Sequence, residues 1–195
     1  MPSLKIADLK DILNKVQHIK DRYREFTYDT FIETGTHVGR TTFEMAKYMK
    51  TVETIEVKKE LYEHCKVESN HHNINNINFH LGDSSKVLGD ILDKLSTQCI
   101  FFLDGHFSHD VTGRGDKDVP LLEELQQIND KHNYDSIIII DDARLFGTKM
   151  DEDWSDITLD KIVNCFDKGK IYSSFLNEDR YNIFLQKIPQ VENSK

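Results

Sequence analysis

The chain has 195 residues, enough to bury a hydrophobic core as one domain without disulfides or a structural metal. Its net charge of −9 argues against an extended phosphate-binding surface, so a small or neutral partner is expected rather than a nucleic acid. The three cysteines lack C-x-x-C spacing, and no apolar run reaches the roughly 18 residues of a membrane helix. We therefore expect a single domain over residues 1–195 of a cytoplasmic protein, with no membrane insertion.

Residues 1–25 carry the pattern of an amphipathic helix that precedes the core. Apolar residues recur at helical spacing from Leu4 to Ile19, with lysine and aspartate between them. The simplest interpretation is a helix that packs on the central sheet. A lid over the site and a contact in a homodimer are the alternatives, and the spacing does not separate the three.

The stretch from Phe31 to Thr42 organises the core that we predict over residues 26–188. An apolar run ends on Glu33, two glycines follow four residues apart at Gly35 and Gly39, and a helical pattern then begins. Glycine permits the positive φ and close approach that let backbone N–H groups and a helix N-terminus face a ligand. The stretch does not match the dinucleotide pattern G-x-G-x-x-G. It predicts a strand, a tight turn and a helix that bind a nucleotide-like cofactor, with a turn that binds nothing as the alternative.

The next two predicted strands also end in acids. A strand from Val52 to Val57 places Glu56 near the offset of about 20 residues at which nucleotide-binding units hold ribose hydroxyls. A third strand, Ile77 to Leu81, is followed by Asp83 and Ser84, either of which can cap the next helix. An exposed strand-end acid and a simple helix cap are the alternatives to cofactor contacts.

The fourth predicted strand, Cys99 to Leu103, is continuously apolar and ends at Asp104 and His106. Ligands of open α/β sheets bind at the carboxyl ends of the strands, so both side chains are candidates for the site. The polar loop 107–119 is long enough to form a flap over that site. A hydrogen-bonded strand-end histidine without a catalytic role is the alternative for His106.

The fifth predicted strand, Ser136 to Ile140, ends in the adjacent acids Asp141 and Asp142. Adjacent carboxylates repel one another, so we expect a cation or Arg144 to compensate them. The alternative is that one aspartate faces solvent and the other caps the next segment.

Two final strands, at 170–176 and 181–187, flank a short polar turn and predict an antiparallel hairpin, and residues 189–195 are expected to form a frayed tail.

The order of these motifs resembles that of class I S-adenosylmethionine (SAM) methyltransferases over roughly residues 28–187. The Glu-Thr-Gly sequence at 33–35 is especially similar to that of metal-dependent sugar O-methyltransferases of the macrocin type. The resemblance implies an α/β fold with a doubly wound, mostly parallel, seven-stranded Rossmann-like sheet and a C-terminal antiparallel hairpin. It also implies that SAM binds here, with Glu56 at the ribose and Asp83 at the adenine. The expected cofactor-binding residues are Glu33, Thr34, Gly35, Thr36, Gly39, Thr41, Thr42, Glu56, Asp83, Ser84 and Asp104.

The same resemblance implies a metal site and a base. In that family an aspartate after the fourth strand and an aspartate pair after the fifth hold Mg²⁺, and these positions correspond here to Asp104, Asp141 and Asp142. The family's base lies two residues after the first metal ligand, which corresponds to His106. Asp104 and His106 are therefore the expected catalytic residues, with Mg²⁺ or Mn²⁺ as the ion. A hard cation lowers the pKa of a bound hydroxyl, and an imidazole can accept its proton at neutral pH.

The sequence thus predicts a SAM-dependent O-methyltransferase that acts on a small acceptor molecule, with a sugar or glycan favoured. The loop 107–119 departs from the family, so contacts to the acceptor molecule rest on this chain alone. The candidates are His109, Arg114 and Arg144. A methyltransferase for a protein or another small molecule is one alternative, and a non-catalytic SAM-binding module is another. The acid and histidine cluster argues against the binding module, which has no need of it.

Overall fold

The computed structural model describes residues 3–15, 22–23, 27, 29–107, 113, 115–149 and 151–189. Within these residues the strands are β1 (Thr30–Thr34), β2 (Thr51–Glu56), β3 (Ile77–Leu81), β4 (Cys99–Leu103), β5 (Ser136–Ile140), β6 (Ile171–Asn177) and β7 (Arg180–Leu185). The α-helices are α1 (Ile6–Asn14), α2 (Arg40–Met45), α3 (Lys59–His71), α4 (Ser84–Leu92), α5 (Leu121–Lys131) and α6 (Leu159–Asn164). A 3₁₀ turn, Ala143–Leu145, follows β5.

The described strands form one seven-stranded sheet in the order β3-β2-β1-β4-β5-β7-β6. The first five strands of that order are parallel, and β7 lies antiparallel between β5 and β6. The predicted α/β fold with its C-terminal hairpin is confirmed. The chain reverses its direction of winding between β1 and β4, and the crevice beyond such a switch point is where ligands of open sheets bind.

The central strands β1, β4 and β5 are buried along their whole length, because helices cover both faces of the sheet. Helices α4, α5 and α6 pack on one face of the sheet. They contribute Leu88, Leu125 and Ile162 to a hydrophobic cluster there. The helix α1 packs on the other face of the sheet, where its residues Leu9 and Ile12 belong to a second hydrophobic cluster. The prediction that the N-terminal helix packs on the sheet is therefore confirmed, and the lid and dimer alternatives stay untested.

The helix α1 ends at Asn14, within the pattern that the sequence assigns to residues 1–25, and residues 16–21 lie outside the described chain. The helix α2 ends at Met45, and the side chain of Asn76 donates hydrogen bonds to the two carbonyls that follow, 2.8 Å to Ala46 and 2.9 Å to Met49. The hydroxyl of Thr158 caps α6 by accepting a hydrogen bond from the Lys161 N–H.

The predicted tail is described only at its first residue, since residues 190–195 lie outside the described structure. Among the described helices, none is long and apolar enough to cross a bilayer.

Candidate functional site

The glycine turn after β1 lies directly against the end of β4. Gly35 has a φ of 85°, and a Cβ at this position would lie 2.4 Å from the backbone oxygen of Asp104. Gly39 has a φ of 76° and begins α2. Only glycine fits at Gly35, because a side chain would meet backbone atoms at a conformation that is already strained for other residues. The turn therefore places the predicted cofactor-binding residues next to the predicted catalytic residues.

The acid of the Glu-Thr-Gly sequence lies beneath that turn. Glu33 is 1% exposed and accepts hydrogen bonds from the hydroxyls of Thr42 and Thr54, the latter at 2.8 Å. Burial raises the pKa of Glu33 to about 7, although the two hydroxyl donors oppose the shift. Thr36 is also buried and shares a 2.6 Å hydrogen bond with Thr54. These hydrogen bonds hold the turn in its conformation. Contact between the same side chains and a cofactor stays a prediction.

The end of β2 places Glu56 beside the turn. Its two carboxylate oxygens accept hydrogen bonds of 2.8 Å from the backbone N–H groups of His37 and Lys58. A carboxylate oxygen can accept more than one hydrogen bond, so the predicted contact to ribose hydroxyls is compatible with both. Thr34 and Thr41 are buried nearby, and Thr41 accepts a 3.2 Å hydrogen bond from the backbone of Leu4.

The end of β3 places Asp83 at the start of α4, where it caps the helix by accepting a 2.9 Å hydrogen bond from the Ser85 N–H. Its other oxygen accepts a 2.8 Å hydrogen bond from the backbone N–H of Asp116 in the predicted flap. Desolvation would raise the pKa of Asp83, but the hydrogen bonds from Ser85 and Asp116 outweigh it and lower the pKa. The flap also contacts the end of β2, since a Cβ on Gly113 would meet Val57. The described part of the flap therefore covers the strand ends assigned to the cofactor.

Sequence reasoning missed Glu124, a buried acid on α5. It is 1% exposed and accepts a hydrogen bond from the hydroxyl of Ser84. Burial raises its pKa to about 7. A Cβ on Gly105 would lie 3.1 Å from its carboxylate, so this acid sits beneath the turn between Asp104 and His106. No signal identified it, because one acid among the leucines of an amphipathic helix is indistinguishable from a surface residue.

The ends of β4 and β5 bring Asp104, His106 and Asp142 together. The Nδ1 atom of His106 lies 3.4 Å from Asp104 Oδ1, and its Nε2 atom lies 3.3 Å from Asp142 Oδ2. Burial raises the pKa of Asp104 well above its ordinary range, and the charges of Asp141 and Asp142 raise it further. The ring of His106 also packs edge-on against Trp154, with 5.1 Å between the ring centroids. The predicted meeting of the two strand ends is therefore observed.

The structure separates the two adjacent aspartates. Asp142 has a left-handed backbone with φ 58°, and its Oδ1 atom accepts a 2.5 Å hydrogen bond from Arg144. Asp141 is directed to Arg180, whose Nε donates at 3.2 Å, and this arginine also contacts Asp8 of α1. Burial raises the pKa of Asp141, although Arg180 opposes the shift. The expected compensation by Arg144 is present at Asp142, whereas the partner of Asp141 was not foreseen.

A small pocket with a cavity volume of about 10 Å³, the room of one water molecule, lies beside Asp104 and His106. Its walls are mostly apolar and include Leu103, Val119, Pro120, Ile140 and Trp154. Of the predicted contacts to an acceptor molecule, Arg144 points to Asp142 and Asp179. His109 and Arg114 lie outside the described residues.

No protein-family model and no curated protein sequence matches the chain. Several solved structures match it at low sequence identity. A proposed rRNA methylase from Clostridium thermocellum has a TM-score of 0.60 and 11% identity over 96% of this chain and 100% of its own. A proposed methyltransferase from Streptococcus mutans, in complex with S-adenosylhomocysteine (SAH), has a TM-score of 0.55 and 16% identity. The match covers 96% of the present chain and 100% of the Streptococcus mutans chain. A SAM-dependent methyltransferase from Aquifex aeolicus has a TM-score of 0.53 and 12% identity. The match covers 95% of the present chain and 100% of the Aquifex aeolicus chain.

These similarities establish the fold. The chain has the Rossmann-like fold of SAM-dependent methyltransferases, as the order of its sequence motifs predicted.

Proposed function

We propose that this protein is a SAM-dependent O-methyltransferase that transfers a methyl group to a hydroxyl of a small acceptor molecule, most favourably a sugar or glycan. One observation carries the proposal: the Gly35 turn lies against Asp104. The predicted cofactor residues and the group Asp104, His106 and Asp142 therefore share one edge of the sheet, the edge at which ligands of open sheets bind.

The assignment of the cofactor is supported by the fold and by the strand ends. The Streptococcus mutans protein of the same fold is in complex with SAH. Here Glu56 is the last residue of β2 and Asp83 follows β3 by two residues, and the resemblance assigns the ribose and adenine contacts to these two acids. SAM or SAH would lie between those acids and the glycine turn.

The proposed reaction needs few groups from the protein. SAM supplies a methyl group that its sulfonium already activates, so the chain must orient an acceptor hydroxyl and remove its proton. The resemblance assigns proton removal to His106, whose ring lies beside the carboxylates of Asp104 and Asp142. A divalent ion bound at these acids would lower the pKa of the hydroxyl.

The class of acceptor molecule is inferred from the resemblance and from charge. The Clostridium thermocellum protein is a proposed rRNA methylase, but the charge of −9 on the present chain disfavours RNA. A protein side chain remains the second candidate, because the net charge does not disfavour it.

Labelled SAM tests the proposal when incubated with the protein, a divalent cation and a panel of sugars, glycans, catechols, peptides and RNA. We expect label on a sugar or glycan hydroxyl. The variant His106→Ala should lower kcat about 10²–10⁴-fold and leave SAM affinity unchanged, because the histidine lies on the acceptor side. His80→Ala is the matched control, since that histidine also contacts a carboxylate, Glu53, but lies on β3. SAM binding without transfer to any member of the panel would instead favour a non-catalytic binding module.

A further inference from the structure

The described part of the flap lies directly against the carboxylate of Asp83. The backbone N–H of Asp116 donates a 2.8 Å hydrogen bond to Asp83 Oδ2. A Cβ added to Gly115 would lie 2.5 Å from the same oxygen, and Cβ atoms in proteins essentially never come within 3.0 Å of another heavy atom. The space between the flap backbone and this carboxylate therefore does not admit even one more carbon atom.

The other oxygen of the Asp83 carboxylate is occupied by its own helix. Asp83 Oδ1 accepts a 2.9 Å hydrogen bond from the Ser85 N–H and a 2.6 Å hydrogen bond from the Ser85 hydroxyl. These two donors use both lone pairs of that oxygen, and they belong to the cap of α4. A ligand that donates to Asp83 must therefore reach Oδ2, the oxygen that the flap covers.

The same part of the flap covers the end of β2. A Cβ on Gly113 would lie 2.4 Å from the side chain of Val57, the residue after Glu56. An ion pair of 2.6 Å between Lys86 on α4 and Asp116 also holds the flap, but both side chains are more than half exposed. Exposed ion pairs contribute little to stability, so the flap is held mainly by backbone contacts that a ligand could replace.

We propose that Gly113, Gly115 and Asp116 occupy the place of the adenine ring until SAM binds, so that the flap competes with the cofactor for the end of β3. The inference rests on the proposed function, which assigns the adenine contact to Asp83. The amino group of adenine and the backbone N–H of Asp116 are both N–H donors, and a purine ring cannot reach Oδ2 while Gly115 lies against it. SAM therefore binds with the flap displaced, and its apparent affinity is reduced by the fraction of molecules in which the flap is closed.

The variant Gly115→Ala tests the competition, because its methyl group has no room beside Asp83 and expels the flap. Calorimetry with SAH should show binding to the full chain at least about threefold tighter than in the wild type, since a flap closed in about two-thirds of the molecules weakens binding by that factor. Asp116→Asn is the matched control in the same segment. It keeps the backbone N–H and removes only the exposed ion pair, so SAH affinity should stay within about twofold of the wild type.

Trypsin cleavage after Lys117, followed by mass spectrometry, gives a second readout that needs no variant. Lys117 lies in the flap and is 64% exposed, and a displaced loop is a better substrate for a protease than one that is held. We expect SAH to accelerate this cleavage in the wild type. In Gly115→Ala the cleavage should be fast with and without SAH.

The opposite results would overturn the proposal. Weaker SAH binding in Gly115→Ala, or protection of Lys117 by SAH in the wild type, would show that the flap closes over the cofactor and does not compete with it. Equal SAH affinities in the wild type and Gly115→Ala, with cleavage that SAH does not change, would refute the competition alone. Binding of SAH by neither protein would refute the cofactor assignment as well, so the two failures are distinguishable.

Discussion

At the scale of single residues, two buried glutamates contribute to the dependence of stability on pH. Burial raises the pKa of Glu33 and of Glu124 from 4.5 to about 7. Because the folded-state pKa exceeds the unfolded one, their contribution to stability is intact below about pH 4.5 and is lost as the pH rises through about 7. The folded protein thus holds both side chains most favourably in their neutral form.

The variant Glu124→Gln tests this dependence. Between pH 5 and pH 8 the wild-type free energy of unfolding should fall by about 1–3 kcal/mol more than that of the variant, since an amide does not ionise. Urea unfolding at the two pH values measures the difference. Glu123→Gln, the half-buried neighbour on the same helix, is the control and should keep the wild-type dependence. If Glu124→Gln also keeps it, the acid is not neutral in the folded protein.

At the scale of elements, Arg180 links α1, β5 and β7. It begins β7, donates to Asp141 at the end of β5, and contacts Asp8 in the first turn of α1. Its side chain is 12% exposed and that of Asp141 is 7% exposed, so neither charge is well solvated without the other. Removing one member of a buried ion pair lowers the free energy of unfolding far more than replacing both members with apolar residues.

We therefore predict a double-mutant cycle with strong coupling between the two. Arg180→Met should destabilise the protein by roughly 3 kcal/mol, because Asp141 is left buried without its cation. The double variant with Asp141→Asn should recover most of that loss. Asp8→Asn should cost less than about 1 kcal/mol, since the Asp8 side chain is 39% exposed. Chemical denaturation measures all four proteins, and additive losses would contradict the pairing.

The elements were predicted better than the contacts between them. The strands β4 and β5 match the predicted bounds, because continuous apolar runs that end in polar residues are strong local signals. The strand β3 also matches, and its apolar residues alternate with polar ones. The partners of the candidate site, Arg180 and Glu124, were not predicted. Their roles depend on packing between elements, which periodicity does not encode.

At the scale of the whole molecule, fold and charge suggest different partners. Among proteins with this fold is a proposed rRNA methylase at 11% identity, an identity that supports the fold alone. The present chain carries 34 acidic residues against 25 lysines and arginines. Affinity for a phosphate backbone comes largely from the counterions that basic side chains release, so an acidic chain has little to release. We therefore expect the net charge of this chain to disfavour RNA as a partner.

The last prediction follows from that charge. At about 150 mM salt the full chain should show no binding of labelled single- or double-stranded RNA at micromolar protein concentration, measured by fluorescence anisotropy with and without SAH. Lowering the salt to about 50 mM should add little affinity, because few phosphates are neutralised. A protein with a basic face would instead gain strongly over this range. Tight binding with a steep salt dependence would show that a local basic surface outweighs the net charge, and would make RNA the leading acceptor class.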